Sequence, residues 1–437
     1  MPIDINKMKF GNSSRIKLAD NIFESYMQNA YDYFTVLAKN IGKVNPNNAV
    51  DVIPALSAFK EYFVSESEWE RLTLYSLNTL RKGIQRSHFD KIAVFSGMTH
   101  VAFSVYDLSI KVPKVNPFLM EINEILLNNL SAFLDSSNKK EFKSAGNYEV
   151  IKGLSGPLRY LLSFDNDDKM KNMAERIVNV FIERSKDISI EGHTVPGWHY
   201  YPSEVEKAYS PIGALNGCIN YGVSHGMGGP LVTLSLAYSR GICTDDLGDV
   251  ISRLVSEYMN ALYYVNDIAY WPSKISFEEY VLLEQQEKGP RQMSWCYGSV
   301  GILRALYIAG ILTCNDEVAR FALDELVKIA KMDLSDYLLS QPIVCHGFIG
   351  TAAIINLMYL ETGKVEFLQR TTEMVEVSAT IGIERFFDIE KLKSKETGTP
   401  FKEDLHGHLE GYNGIIQTVL SVIKGCPTGN EKRLSML

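Results

Sequence analysis

The sequence lacks the features that mark several classes of protein. Its 44 lysines and arginines are outnumbered by 52 aspartates and glutamates, so the formal net charge is -8. This balance argues against nucleic-acid binding through a basic surface. No uninterrupted apolar run is long enough to span a bilayer. The first residues, Met1–Lys7, lack the apolar stretch of a secretory signal.

Cysteine is also scarce. Six cysteines in 437 residues are too few for a disulfide scaffold, and reduced thiols are typical of a cytoplasmic protein. We therefore expect the thiols to be available for a metal ion or for catalysis.

The main pattern that is present is a Gly-x-x-Gly step, which recurs at intervals of about fifty to seventy residues and is followed each time by an apolar segment. The steps are Gly153–Gly156, Gly226–Gly229, Gly298–Gly301, Gly347–Gly350 and Gly411–Gly414. In an earlier copy that begins at Gly97, His100 stands in place of the second glycine. Asp51–Leu56 is interpreted as a further copy of the repeat that lacks its glycines. Each interval leaves room for one further helix.

Amphipathic segments fill these intervals, as expected for an outer layer of helices. They are residues 116–134, 169–186, 245–265, 315–332 and 365–386, with further helices predicted at 19–37 and 67–82. The apolar segments begin with small residues, which would let helix starts crowd together around a closed ring. The sequence thus predicts an all-α fold, an α,α-toroid of about seven helix pairs, with residues 1–437 forming a single domain.

Two stretches, residues 187–215 and 266–292, interrupt the helical pattern. They contain the short β-type runs Ile188–Ile190 and Ile275–Phe277 between glycines and prolines. We expect them to fold together as a small flap domain beside the mouth of the ring. Trp198 and His199 could bind a peptide there, but aromatic packing of the flap is the favoured prediction.

Potential metal ligands stand directly before two successive Gly-x-x-Gly steps. Cys296 precedes Gly298, while Cys345 and His346 precede Gly347. A single cysteine at an apolar helix more often belongs to the core. Two thiols and an imidazole at matching repeat positions instead favour a zinc site, and three protein ligands would leave one tetrahedral position open.

Other histidines and thiols are weaker candidates. His225 abuts its own glycine step and is either an acid/base residue or a hydrogen-bonded histidine at a helix start. His406 and His408 are rival metal ligands, but exposed polar positions at the ring mouth are favoured. The remaining thiols are expected to be core or surface groups: Cys218, Cys243, Cys314 and Cys426.

Five motifs, in order along the chain, resemble those of one family, the lanthionine synthetase C-like cyclases of lantibiotic biosynthesis. They are Val150–Gly156, Ser224–Gly226, Trp295–Gly298, Cys345–Gly347 and Leu409–Gly411. Trp-Cys-Tyr-Gly followed by Cys-His-Gly is the specific part of this signature, and the first ninety residues match poorly. The resemblance implies an α,α-toroid of seven helix pairs with a small inserted domain.

The resemblance also implies functions for individual residues. Cys296, Cys345 and His346 would bind Zn²⁺, and His225 would be the acid/base residue. Tyr297 follows the zinc-binding cysteine as in the family. Two catalytic positions depart from the family pattern. Glu149 stands where an aspartate is usual, and Arg291 is one residue further from the cysteine than the family arginine, whose position Gln292 fills.

The function implied is formation of (methyl)lanthionine thioether rings. A cysteine thiolate of a dehydrated precursor peptide, leader plus core, would add to dehydroalanine or dehydrobutyrine in the same peptide. His225 would then protonate the α-carbon, Glu149 would orient His225, and Arg291 or Tyr297 would stabilise the enolate. The resemblance further implies a dehydratase and an ABC exporter as partners, and a cytoplasmic location that extends to peripheral association with the inner face of the membrane.

Two other functions are compatible with the same residues. A non-catalytic peptide-binding or scaffold subunit would keep the fold and the metal without the reaction. A zinc-dependent thiol transferase would use the same ligands on a small acceptor.

Overall fold

The computed structural model of the chain describes residue 18 and residues 20–137, 145–203, 207, 212–213, 215–242, 244–282, 291–382 and 406–436. Over these residues the fold comprises sixteen α-helices and six short strands. In chain order they are α1 Asp20–Asn40, α2 Pro46–Phe59, α3 Glu66–Gln85, α4 Met98–Lys111, α5 Asn116–Ser137, α6 Ser155–Leu161, α7 Asp168–Arg184, β1 Ile188–Ile190, β2 His193–Val195, β3 Cys218–Asn220, α8 Gly228–Ser239, α9 Thr244–Ala261, β4 Tyr263–Val265, β5 Ile268–Tyr270, β6 Lys274–Ser276, α10 Phe277–Leu282, α11 Ser299–Leu312, α12 Asp316–Ala330, α13 Phe348–Thr362, α14 Val365–Ile381, α15 Tyr412–Lys424 and α16 Asn430–Arg433.

The helices are of two kinds, inner and outer. In α11, for example, every residue from Ser299 to Gly310 is buried, whereas α12 buries only one face. Seven inner helices of the α11 kind are present among the described residues: α2, α4, α6, α8, α11, α13 and α15. Amphipathic outer helices follow the first six of these, because a helix with one polar face can only cover a core. The predicted alternation and the number of inner helices are confirmed, including α2, which has no glycine step.

The chain divides into two compact units. Unit 1 contains residues 1–90, 100–122 and 333–431. Within it, the last inner helix, α15, packs against α13, α2 and the N-terminal helix α1. The phenol of Tyr26 on α1 donates a hydrogen bond to the carbonyl of Val375 on α14. The beginning and the end of the chain therefore share one core.

Unit 2 contains residues 91–99, 123–332 and 432–437. Its inner helix α8 packs against both α6 and α11, and the outer helices α7, α9 and α12 pack on α6, α8 and α11 respectively. The outer helices α7 and α12 start at side-chain caps. Asp167 accepts from the N–H groups of Lys169 and Met170, and Asn315 accepts from the N–H of Val318.

The strands lie in unit 2 and form three antiparallel pairs, β1 with β2, β3 with β6 and β4 with β5. The two predicted insertions contact each other, because His193 in β2 packs edge-on against Phe277. Strand β3, which follows the first predicted insertion, pairs with β6 of the second. Their grouping as a separate flap domain stays a prediction, and parts of both predicted ranges, such as 283–290, lie outside the described residues.

Aromatic packing of this region is confirmed. The side chain of Trp198 is 1% exposed and packs against the rings of Tyr148 and Phe181. His199 is also buried, and burial lowers its pKa below the ordinary value of 6.5.

Two helices end earlier than the sequence predicts. The predicted helix 245–265 ends at Ala261, and residues 263–265 form β4 instead. The reason is a two-residue hairpin loop, in which Asn266 and Asp267 both have positive φ, as a type I′ turn requires. The predicted helix 365–386 ends at Ile381, and residues 383–386 lie outside the described part of the chain.

Candidate metal and acid–base site

The glycine steps place the candidate ligands by a repeated backbone turn. Before α11 and α13 the chain folds back, so that the N–H of Gly301 bonds to the carbonyl of Ser294 and that of Gly350 to the carbonyl of Ile343. A Cβ on Gly301 would lie 2.2 Å from the oxygen of Trp295, and one on Gly350 would lie 1.8 Å from that of Val344. Only glycine permits this close approach.

The turns hold the residues just before the helices in equivalent places. Gly298 has φ +129°, a region that side chains other than glycine rarely adopt. Cys296 stands in the first turn, and Cys345 with His346 stands in the second. The register of the repeat thus determines which positions precede an inner helix.

The three predicted metal ligands come together. The sulfurs of Cys296 and Cys345 and a ring nitrogen of His346 all lie within 4.8 Å of one another. Cys296 is 7% exposed, while Cys345 and His346 are half-buried. Two soft thiolates and an imidazole suit zinc in both chemistry and spacing. The residues present therefore fit the metal that the sequence predicts.

Cys296 is also tied to the segment that carries His225. Its carbonyl accepts the N–H of Val223 at 2.9 Å, two residues before the histidine. The N–H of Cys345 donates to the carbonyl of Leu409 at 2.9 Å. Backbone hydrogen bonds thereby fix both cysteine-bearing turns.

Glu149 is buried and pairs with His225, which is partly exposed. Glu149 is 1% exposed, and its carboxylate lies 2.7 Å from Nδ1 of His225, whose side chain is 45% exposed. The carboxylate also accepts N–H groups of Ile151, Lys152 and Gly153. A carboxylate in this position favours the tautomer with the proton on Nδ1, which leaves the lone pair on Nε2.

Tyr297 is positioned by a residue that the sequence did not single out. The side-chain amide of Asn220 donates to the hydroxyl of Tyr297 at 2.9 Å, while its oxygen accepts the N–H of Gly222. A Cβ on Gly222 would lie 2.5 Å from the tyrosine ring, so the close packing of the ring here depends on glycine. Asn220 is fully buried at the end of β3. The only indication of this role in the sequence is a polar residue six positions before Gly226.

Arg291 lies on the surface. It is exposed, and its charge lowers the pKa of Tyr263, although burial raises that pKa overall. Among the described residues, the structure gives no hydrogen bond from Arg291 to Glu149, His225 or Tyr297. The position of Arg291 thus differs from that of the other three predicted catalytic residues.

The prediction for His408 is wrong. His408 is 2% exposed rather than exposed, and it lies with Asp51 and His100 in the core of unit 1. His406 is half-buried, and its Nδ1 lies 2.9 Å from the hydroxyl of Tyr33. Both histidines are covered because α1 and α2, from the other end of the chain, pack on α15.

The remaining thiols behave as predicted where they are described. Cys218 is buried in β3, whereas Cys314 and Cys426 are exposed. The described cysteines form no disulfide, and Cys243 lies outside the described residues.

The comparison with known families defines the class of protein. The profile described as Lanthionine synthetase C-like protein matches residues 52–428, which is most of the chain. The chain therefore belongs to the lanthionine synthetase C-like family, as the five motifs predicted.

Two individual proteins are similar to the chain. Nisin biosynthesis protein NisC of Lactococcus lactis subsp. lactis is 24% identical over 323 residues, which is 72% of each chain. The solved structure of nisin cyclase matches 96% of this chain and 98% of its own, with a TM-score of 0.74 and 19% identity. The likeness shows the fold, and the predicted α,α-toroid with a small strand-containing insertion is confirmed.

Proposed function

We propose that the chain is a zinc-dependent lantibiotic cyclase that forms (methyl)lanthionine rings in a dehydrated precursor peptide. Family membership and the similarity to nisin cyclase support a lanthionine synthetase activity. The observation that carries the zinc dependence is the convergence of two thiols and one imidazole within 4.8 Å.

The reaction is an addition that changes no mass. The S–H of a peptide cysteine adds across the C=C bond of dehydroalanine or dehydrobutyrine, sulfur bonding to the β-carbon. The π electrons move towards the adjoining carbonyl as an enolate, and a proton is then delivered to the α-carbon. A metal held by Cys296, Cys345 and His346 would lower the pKa of the substrate thiol.

His225 is the proposed acid. Because Nδ1 faces the carboxylate of Glu149 at 2.7 Å, Nε2 can carry the proton to the α-carbon. The buried carboxylate also stabilises the charged imidazolium before transfer. The exposed fraction of His225 leaves the ring accessible to a peptide.

The enolate charge is assigned to Tyr297 and Arg291. The hydroxyl of Tyr297 accepts from Asn220, which orients its own O–H to donate to a developing oxyanion. Arg291 keeps the assignment that the family pattern gives it.

The reaction also defines the partners that we propose. The acceptor is a dehydrated residue, so a dehydratase must act on the precursor first. An ABC exporter, a cytoplasmic location and association with the inner face of the membrane stay predictions. Among the described helices, none has the length and apolar character needed to cross a bilayer.

The direct test uses a leader-bearing precursor peptide whose serines and threonines have been dehydrated and whose cysteines are free. The protein and zinc are added, and free thiols are counted by alkylation and mass spectrometry. Thiols should disappear while the peptide mass stays constant. The variant Cys296→Ser/Cys345→Ser should leave the peptide thiols unreacted. The control Cys314→Ser/Cys426→Ser removes two exposed thiols elsewhere and should consume the peptide thiols as the wild type does.

Other outcomes discriminate the remaining functions. Persistence of all thiols at full metal occupancy, with the peptide still bound, would support a scaffold subunit. Consumption of thiols only when a small electrophilic acceptor is added would support a thiol transferase. In either case the cyclase proposal is wrong.

A further inference from the structure

A second cluster of potential metal ligands, made of residues other than those of the proposed cyclase site, lies in the core of unit 1. Asp51 on α2 is 9% exposed, and His100 on α4 and His408 before α15 are each 2% exposed. The proposed cyclase reaction uses none of them.

Both histidines face one carboxylate oxygen. Nε2 of His100 lies 3.0 Å, and Nε2 of His408 3.3 Å, from Oδ1 of Asp51. The two rings meet edge to face with centroids 5.6 Å apart. One ligand atom from each of the three residues lies within 4.8 Å of the other two.

These spacings resemble those around a tetrahedral ion. With zinc bonds of about 2.0–2.2 Å to nitrogen and oxygen, neighbouring donor atoms are roughly 3.3 Å apart. The two distances to Asp51 are close to that value, so an ion could enter with small side-chain movements.

The negative charge of the buried Asp51 carboxylate favours a bound cation over two neutral imidazoles alone. A buried carboxylate needs a compensating positive charge. A divalent ion would supply it and would use a lone pair of each imidazole, and this mixed nitrogen and oxygen donor set is one that zinc accepts.

We propose that Asp51, His100 and His408 form a second, structural divalent-metal site that contains no thiol. It would join α2, α4 and the segment before α15. The side chain of Asn413 on α15 already donates to the backbone carbonyl of Asp51 at 3.0 Å, so the ion would strengthen an existing connection between the two ends of the chain.

The test uses the full-length variant Cys296→Ser/Cys345→Ser, which lacks the thiols of the other site. It is expressed with zinc, or with cobalt in its place, and its metal content is measured after gel filtration. About one ion per chain should remain. Its cobalt form should show ligand-field absorption without thiolate-to-cobalt charge transfer.

Further substitutions assign that ion. Adding Asp51→Asn and His408→Gln should remove it, while adding His88→Gln, an exposed histidine of the same unit, should not. If the variant that also carries Asp51→Asn and His408→Gln does not fold, the Cys296→Ser/Cys345→Ser variant alone still tests the proposed site. Its midpoint of thermal unfolding must rise with added zinc, because an ion that binds only the folded state stabilises it.

Absence of metal from the Cys296→Ser/Cys345→Ser variant, or retention after Asp51 and His408 are changed, would overturn the second site. So would a midpoint that does not respond to zinc. Failure of the cyclase metal site has a different signature, since the wild type and the Cys296→Ser/Cys345→Ser variant would then hold the same amount of zinc.

Discussion

Among single residues, Glu149 constrains the proposed chemistry most closely. It is one methylene longer than the aspartate usual in the family, yet its carboxylate still reaches Nδ1 of His225. Backbone N–H groups from Ile151 to Gly153 hold the carboxylate from the other side. We therefore propose that Glu149 acts through His225, as a positioning residue.

Replacement of Glu149 by glutamine tests this assignment. Glutamine is nearly isosteric, and its single oxygen can still accept from Lys152 and Gly153. Its NH2 group cannot accept from Nδ1 of His225, and it carries no charge to stabilise the imidazolium. We expect kcat for ring formation to fall about 10²-fold, with little change in KM or in zinc content. The measurement is the rate of thiol loss over a range of peptide concentrations.

Glu149→Asp is the matched control, because it retains the charge and the family residue. It should recover much of the lost kcat. Equal activity of Glu149→Gln and the wild type would show that the carboxylate does not serve the histidine.

His199 gives a prediction for pH. Burial lowers its pKa below 6.5 in the folded state, so the unfolded chain binds more protons once the pH falls below that value. Stability is thus complete above pH 6.5 and is lost as the pH falls towards the folded pKa. Unfolding by denaturant would be measured between pH 5 and 7.5, as an experimental range. The free energy of unfolding should fall less towards acidic pH for His199→Gln than for the wild type. An unchanged pH dependence would exclude His199 as its source.

The sequence identified some site residues and missed others for a physical reason. Cys296, Cys345 and His346 share a register set by adjacent glycines, so their meeting follows from a local pattern. Asp51 lies more than three hundred residues from His408 along the chain. No local pattern reveals that they share a core, and His408 was therefore predicted to be exposed.

At the scale of elements, the turn before each inner helix depends on glycine. The N–H of Gly350 bonds back to Ile343, and a Cβ there would lie 1.8 Å from the oxygen of Val344. The clash is with backbone, which cannot rotate away, so relief requires the turn beside Cys345 and His346 to shift.

Gly350→Ala should therefore lower the free energy of unfolding by about 3 kcal/mol and weaken zinc binding. Gly42→Ala is the control, since a Cβ at Gly42 meets nothing within 4 Å, and its effect should stay within about 0.5 kcal/mol. Urea denaturation and metal content are the measurements. Equal stability of the two variants would show that the turn tolerates a side chain.

Element boundaries were predictable where a local signal existed. The glycine steps and the amphipathic periods located the inner and outer helices. The predicted helix 245–265 ran into β4 because apolar spacing continues through Tyr263 and Val265. The Asn266–Asp267 loop carries the positive φ values of a tight hairpin, and that dipeptide was the signal available for the turn.

At the scale of the whole molecule, fold similarity extends further than sequence similarity. The family match begins at residue 52, so α1 lies outside it, whereas the likeness to nisin cyclase covers 96% of the chain. Helix α1 packs on α14 and α15. Burial at such a contact demands apolar residues of suitable volume rather than particular ones, so α1 can keep its packing although its sequence lies outside the family match. The poor match expected for the first ninety residues therefore holds only before residue 52.

The central claim is that Cys296, Cys345 and His346 hold one zinc ion, and anomalous diffraction tests it most directly. Crystals grown with zinc would be measured on both sides of the zinc absorption edge. We expect an anomalous peak bonded to both sulfurs at about 2.3 Å and to a nitrogen of His346 at about 2.0 Å. A map with no peak among these three side chains, in crystals of protein that forms thioether rings, would contradict it.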